Sequence, residues 1–312
     1  MDALSEILRL ANLTGAVLAD VTSAGGWGVS VPAASATRYA HVVLEGDCLL
    51  RAGDREIALR SGDTAIVFAG GAHTVSGAPA TSHATPLASL LRPVVAGELA
   101  PVSVGSGGPR ARWVTFTFSL DRHLGAPLLD AMPEALALSL RGSSALTWMG
   151  ESLGLSLSLT DAPRAGAAAV LARVAELAFI EAVRRHVESL PAGGTGWLAG
   201  LSDRHVGATL ALLHGQPGEN WTVERLARQV GISRSALGDH FSAIVGEPVM
   251  GFLARVRLQR AAHELLAGGK AIKMVAKDAG YESPQSFARA FKRAYRLPPS
   301  RWAKRQRARR NA

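Results

Sequence analysis

The sequence predicts an α+β chain of two domains: an N-terminal domain of short strands with flanking helices, and an all-α C-terminal domain in which a long helix joins two helix-turn-helix motifs. Residues 20–120 are rich in glycine and β-branched residues in short alternating runs, the pattern of strands. Between Trp221 and Trp302 one helix-turn-helix pattern occurs twice. The net basic excess lies in the last third of the chain. The boundary falls at Pro191-Ala192-Gly193-Gly194-Thr195-Gly196, the clearest linker. The expected layout is a strand-rich domain at 1–190, a linker at 191–202, a helical domain at 203–305 with motifs at 222–243 and 271–294, and a basic tail at 306–312.

The chain has 312 residues and 48% hydrophobic content, enough for two cores, and no run near 18 apolar residues that would span a membrane. Met1 to Arg9 alternates charged and apolar residues without a signal-peptide core, so a short amphipathic helix in a cytoplasmic protein is expected. Cys48 is the single cysteine, which excludes an intrachain disulfide or a cysteine-based zinc cluster; it reads as a buried strand thiol rather than a redox sensor.

In chain order, strands are expected at 27–31, 39–44, 48–50, 56–59, 64–68 and 113–118, spaced as in a small antiparallel barrel or sandwich. Residues 81–109 are rich in Ala, Ser, Gly and Pro and read as loop with an interrupted strand at 87–91. Residues 121–140 read as a proline-punctuated turn or short helix, and 146–153 as another short helix. The longest helix of this half is expected at 162–190, with Val170, Val174, Leu177 and Phe179–Ile180 on its apolar side and a Glu181–Arg185 pair on the other. It either packs on its own domain or pairs with its copy in a homodimer.

In the first helix-turn-helix, Thr222 is the expected N-cap, Glu224 lies in the first turn where negative charge suits the helix dipole, and Trp221 staples onto Leu226. Gly231 supplies a positive φ after the helix and Ser233 caps the next one. In the second, Gly280 plays the part of Gly231, and Ser283-Pro284 puts a cap residue before proline at the first helical position. Phe241 and Phe291 close the two apolar faces. Residues 249–266 form one helix, about 27 Å long, near the roughly 34 Å between successive major-groove faces on one side of a duplex.

Charge points the same way. Residues 203–312 hold 20 Lys and Arg against 8 Asp and Glu, a net +12, while the other 202 residues hold 14 against 17, a net −3. A basic module attached to a near-neutral domain is the electrostatic footprint of nucleic-acid binding. The run Arg301, Lys304, Arg305, Arg307, Arg309 and Arg310 extends it, as phosphate contact or as a solubilising tail.

Residues 203–305 resemble the DNA-binding domain of the AraC/XylS family of bacterial transcription regulators, through Ala279-Gly280-Tyr281-Glu282-Ser283-Pro284-Gln285-Ser286-Phe287-Ala288-Arg289-Ala290-Phe291-Lys292 and Pro298-Pro299. The resemblance implies that base contacts come from the start of each second helix: Arg234, Ser235, Gly238 and Asp239 in the first, Pro284, Gln285, Ala288 and Arg289, with Arg293, in the second. Gln285 and Arg289 lie four apart on one face and suit adenine and guanine edges, whereas Gly238 and Asp239 are poor readers, so the second motif is expected to give more of the direct readout. Arg234 reads equally as a base or a phosphate contact.

The run from Gly62 to His73 resembles the second signature of the cupin barrel, with Phe68 where proline is usual, and Leu44-Glu45-Gly46-Asp47 resembles the turn after the first signature. A cupin-like β-barrel is therefore expected. The His-x-His pair and carboxylate of a metal site are missing, because no histidine precedes Tyr39; His41 and His73 remain as a hydrogen-bonded core pair or an effector-pocket pair. No metal, cofactor or catalytic residue is expected. Together the resemblances imply a sequence-specific regulator, more an activator than a repressor, acting at the nucleoid on double-stranded DNA, with RNA polymerase and a small-molecule effector as partners. The alternatives are a metal-dependent cupin enzyme fused to a DNA-binding domain, or a low-specificity architectural DNA binder.

Overall fold

The computed structural model describes residues 3–34, 37–77, 83–91, 101–121, 124–139, 151, 166–191 and 193–310. The helix expected at 146–153, apart from residue 151, and the start of that expected at 162–190 lie outside the described residues. Two compact units form: Leu13–Leu120 with Met132–His186, and Met1–Asn12 with Asp121–Ala131 and Val187–Ala312.

The first unit is built on two sheets. One has six strands in the order β11 (Ala135–Ser139), β6 (Asp63–Val67), β3 (Arg38–Glu45), β10 (Arg110–Ser119), β1 (Thr14–Ala24) and β9 (Pro101–Gly105). The other has five, in the order β5 (Arg55–Arg60), β4 (Asp47–Ala52), β7 (His73–Ser76), β2 (Gly28–Val31) and β8 (Thr85–Pro86). Val21, Val43, Ala65 and Trp113 of the larger sheet share one core with Val29, Leu50, Leu59 and Val75 of the smaller, and Trp27 stacks on Trp113 at 4.6 Å. All six anticipated strands are present, but most pairings are antiparallel rather than all: β9 runs parallel to β1, and β8 parallel to β2. Residues 87–91 hold not a strand but a single helical turn, α2 (Leu87–Leu90), entered from Pro86.

The far face of the six-stranded sheet is covered by the helix Ala167–Ser189. Phe179 meets Phe68 at 5.4 Å and Phe118 at 5.2 Å. Its buried stripe runs through Leu171, Val174, Ala175, Ala178, Phe179, Ala182 and Val183. Val170 and Leu177, expected on the apolar side, are instead 49% and 43% exposed. Alanines carry the contact because the backbones approach closely: a Cβ on Gly15 of β1 would stand 2.9 Å from the Ala172 carbonyl. The Glu181–Arg185 pair forms at 2.9 Å, with Arg184 on the same carboxylate at 2.7 Å.

The second unit is helical. Helix α1 (Ala3–Leu10) and α3 (Ala126–Asp130) belong to it, although the sequence groups them with the N-terminal domain. Ile7, Leu8 and Ala11 are buried, Asp121 N–H donates to the Ala11 carbonyl at 2.6 Å, and Trp197 Nε1 donates to the Pro127 carbonyl at 3.2 Å. An amphipathic pattern of eight residues states that one face is covered but not by what. With the Ala167–Ser189 helix numbered α4, there follow α5 (Trp197–Ser202), α6 (Arg204–Gly215), α7 (Val223–Val230), α8 (Arg234–Val245), α9 (Val249–Ala267), α10 (Ile272–Asp278), α11 (Pro284–Tyr295) and α12 (Pro299–Arg310).

The local chemistry of both motifs is as the sequence expects. The Thr222 hydroxyl accepts from Arg225 N–H at 3.1 Å, Ser233 from Ala236 N–H at 3.2 Å, and Ser283 from Ser286 N–H at 3.1 Å. Gly231 and Gly280 take φ of 77° and 75°. A methyl group on Gly231 would meet nothing, so Gly231→Ala isolates the backbone cost of the left-handed turn. Urea unfolding is expected to show a loss of about 1–2 kcal/mol in this unit; an unchanged midpoint would contradict the turn's role.

Candidate nucleic-acid interface

Helices α8 and α11 each bury one face and present the other. Leu237 and Phe241 of α8, and Phe287 and Phe291 of α11, are fully buried. On the open side Arg234, Ser235 and Asp239 are exposed on α8, and Pro284, Gln285, Arg289 and Arg293 on α11; Gly238 and Ala288 are half-buried. The spacing that buries Phe287 and Phe291 places Gln285 and Arg289 together on the opposite side, one helical turn apart.

The two presented faces differ in how they are engaged. Arg234 Nε lies 2.7 Å from Glu224 Oε1 of α7, and Ser235 Oγ is 3.2 Å from the capping Ser233 Oγ. Hydrogen bonds from its own backbone and from Thr222, then the Arg234 charge, hold the Glu224 carboxyl below the usual range. Gln285 and Arg289, in contrast, make no hydrogen bond or ion pair with any described residue, so the donors that suit base edges are open. Arg293 lies near Tyr281 of the second turn. Glu224 was not legible as a partner of Arg234, because it reads as a helix-dipole residue ten positions upstream.

The structure also brings His41 and His73 together. His41 is on β3 opposite Thr115 of β10, and His73 is on β7, so the two imidazoles meet between the sheets with Nε2 to Nε2 at 2.8 Å. Both are buried. One tautomer set satisfies every contact. The Gly71 carbonyl can only accept, so His73 Nδ1–H donates to it at 3.2 Å; His73 Nε2 then accepts from His41 Nε2–H, and His41 Nδ1 accepts from the Thr115 hydroxyl at 3.1 Å. Among the described residues no group of three or more His, Cys, Asp or Glu is placed to hold a metal. His73 also lines an open depression with Ser30, Val31, Arg51, Thr74 and Pro86.

Comparison with known proteins identifies both domains of the chain. The cupin family model matches residues 2–188, and a helix-turn-helix domain model matches residues 226–305. An AraC-like transcription regulator of Streptomyces lividans is 28% identical over 97% of this chain and 98% of its own length. The chain belongs to the AraC-like transcription regulators that carry an N-terminal cupin domain. It is a DNA-binding transcription regulator. The regulator AlkR of Acinetobacter baylyi is also 28% identical, over 97% of this chain and 99% of its own. The DNA-binding domain of AdpA, solved with a target DNA, is similar over 35% of this chain and 98% of that one, at 25% identity and a TM-score of 0.33. No helix among the described residues is long and apolar enough to cross a membrane.

Imidazoles whose pKa burial lowers are expected to make this regulator sensitive to acid. Burial and then the neighbouring His73 push His41 well below 6.5, burial lowers His73, and burial followed by Arg255 brings His214 down to about 4. Each folded pKa lies below the unfolded value, so the unfolded chain binds the proton first. The stability they lend is complete above about pH 6.5 and is lost as pH falls toward the folded values, by up to about 3 kcal/mol for His214 alone. Urea midpoints are expected to hold steady from pH 8 to 7 and drop at pH 5; a flat profile would show that the imidazoles are not neutral and buried.

Proposed function

We propose that this regulator reads two successive major-groove faces, with α8 entering one and α11 the other, and that α11 supplies more of the base readout. The exposed and unengaged pair Gln285 and Arg289 carries this reading: a carboxamide and a guanidinium four residues apart match adenine and guanine edges. Pro284, Ala288 and Arg293 flank them on α11. On α8, Arg234, paired with Glu224, contacts phosphate, with Ser235 and Asp239 beside it. Helix α9, at 19 residues and about 28 Å, sets the separation to roughly the pitch of the duplex.

In the same reading the cupin domain takes a small molecule or another signal beside the His41–His73 pair, and two copies act as a homodimer in the cytoplasm, favouring activation through RNA polymerase. A ligand shifts DNA binding only if it prefers the arrangement of the chain that binds DNA, so the imidazole pair must change partners on binding or transmit nothing. The distinct charge of the helical unit supports DNA as its partner rather than a catalytic role for the chain.

Selection of genomic fragments by the full-length chain at about 150 mM salt tests the assignment. The expected product is a shared motif about two helical turns long. With Arg289→Ala, preference at one position of that motif is expected to relax, at a cost of about 1–3 kcal/mol there. Unchanged preference in the variant would remove Arg289 from the readout, and recovery of fragments with no shared motif would favour architectural binding.

A further inference from the structure

The two halves of the DNA-binding unit do not share a core. Val206 to Val256 contribute one buried cluster, around Phe241 and Phe252, and Leu258 to Ala303 contribute another, around Phe287, Phe291 and Trp302. Among the described residues α9 alone contributes to both, and Arg257 is the residue at which one cluster ends and the next begins. A single helix between two cores leaves each half free to pivot about it. One base pair of slip on DNA amounts to only about 3.4 Å and a tenth of a turn, so a fixed reading frame needs a second attachment.

Arg257 supplies it. Its Nε donates to the Pro217 carbonyl at 2.7 Å and its Nη2 to the Glu219 carbonyl at 2.8 Å, both in the loop between α6 and α7 of the first half. That loop is anchored in its own half: Trp221 Nε1 donates to the Gln216 carbonyl at 2.8 Å, and Arg225 pairs with Glu219 at 3.0 Å. It also abuts the second half. A Cβ at Gly218 would stand 2.7 Å from the Asp278 carbonyl at the end of α10. One at Gly280, in the turn of the second motif, would stand 2.7 Å from Arg257 Nη2 and 2.9 Å from the Gly218 carbonyl. Guanidinium, loop and turn are thus in contact with no room for a methyl group at either glycine. The planar fork of arginine serves two carbonyls at once, which an ammonium on a flexible stem does not.

We propose that Arg257, seated between the Pro217–Glu219 loop and the Gly280 turn, is a positioning residue that fixes the separation of α8 and α11 and thereby the spacing of half-motifs this regulator accepts in DNA. The inference rests on the reading that both helices enter the duplex. Selection from randomised duplexes at about 150 mM salt, followed by titration of duplexes with one base pair inserted between the half-motifs, tests it on the full-length chain. The unaltered chain is expected to recover two half-motifs at one separation, with the insertion costing about tenfold in affinity. Arg257→Met, which keeps the aliphatic stem, and Gly218→Ala, which wedges the loop from Asp278 while leaving the guanidinium intact, are expected to recover the same half-motifs at more than one separation, with the insertion costing less than about threefold. Circular dichroism checks that each variant folds, and Gly218→Ala decides alone if Arg257→Met does not. Variants that keep the single separation and the full insertion penalty would overturn the role of Arg257. An unaltered chain that recovers one half-motif would instead overturn the two-helix reading and this inference with it.

Discussion

The left-handed glycine followed by a capping serine is the local constraint from which the rest of the helical unit follows. At Gly231 and Gly280 the chain must reverse within three residues, which a positive φ allows without a Cβ clash. Ser233 and Ser283 then satisfy the first free N–H groups of α8 and α11. The direction in which each second helix leaves the turn fixes which residues face inward. Phe241 and Phe291 are therefore core, and Arg234, Gln285 and Arg289 are surface, by a choice made in the turn.

A comparable economy holds in the sheet-rich unit. Its interior buries a few polar side chains, Ser23, Thr64 and Thr115 among them, and the His41–His73 pair survives burial because each ring nitrogen has a partner. The chain Thr115–His41–His73–Gly71 joins one sheet to the other by neutral hydrogen bonds. Any ligand that draws on either imidazole must break that chain, which links occupancy near His73 to the packing of both sheets.

What was legible in the sequence is what is decided locally. Thr222, Gly231, Ser233, Gly280 and Ser283-Pro284 could be read because a cap or a turn needs a particular residue type at a fixed offset. The strands with clean alternation were legible for the same reason. β1, whose register shifts between Val17 and Ala19, was missed altogether, as was β9, which begins at a proline among small residues. The α1 helix was seen, but its destination was not, since Ile7 and Leu8 specify only that something apolar covers them. The mispaired stripe of α4 has a similar origin: alanines that let two backbones approach weigh little in a pattern, whereas Val170 and Leu177 weigh much and lie outside. Arg257 was invisible because an arginine in mid-helix reads as solvated until the two carbonyls that meet it are known.

The placement of two helices on one face of the duplex is the claim on which the account stands. Hydroxyl-radical footprinting of the full-length regulator on a genomic fragment it retains reports backbone protection directly. Each bound chain should protect two windows on the same side of the duplex, their centres about one helical turn apart, or 10 base pairs. A single protected window per chain, or uniform protection without periodicity, would contradict it.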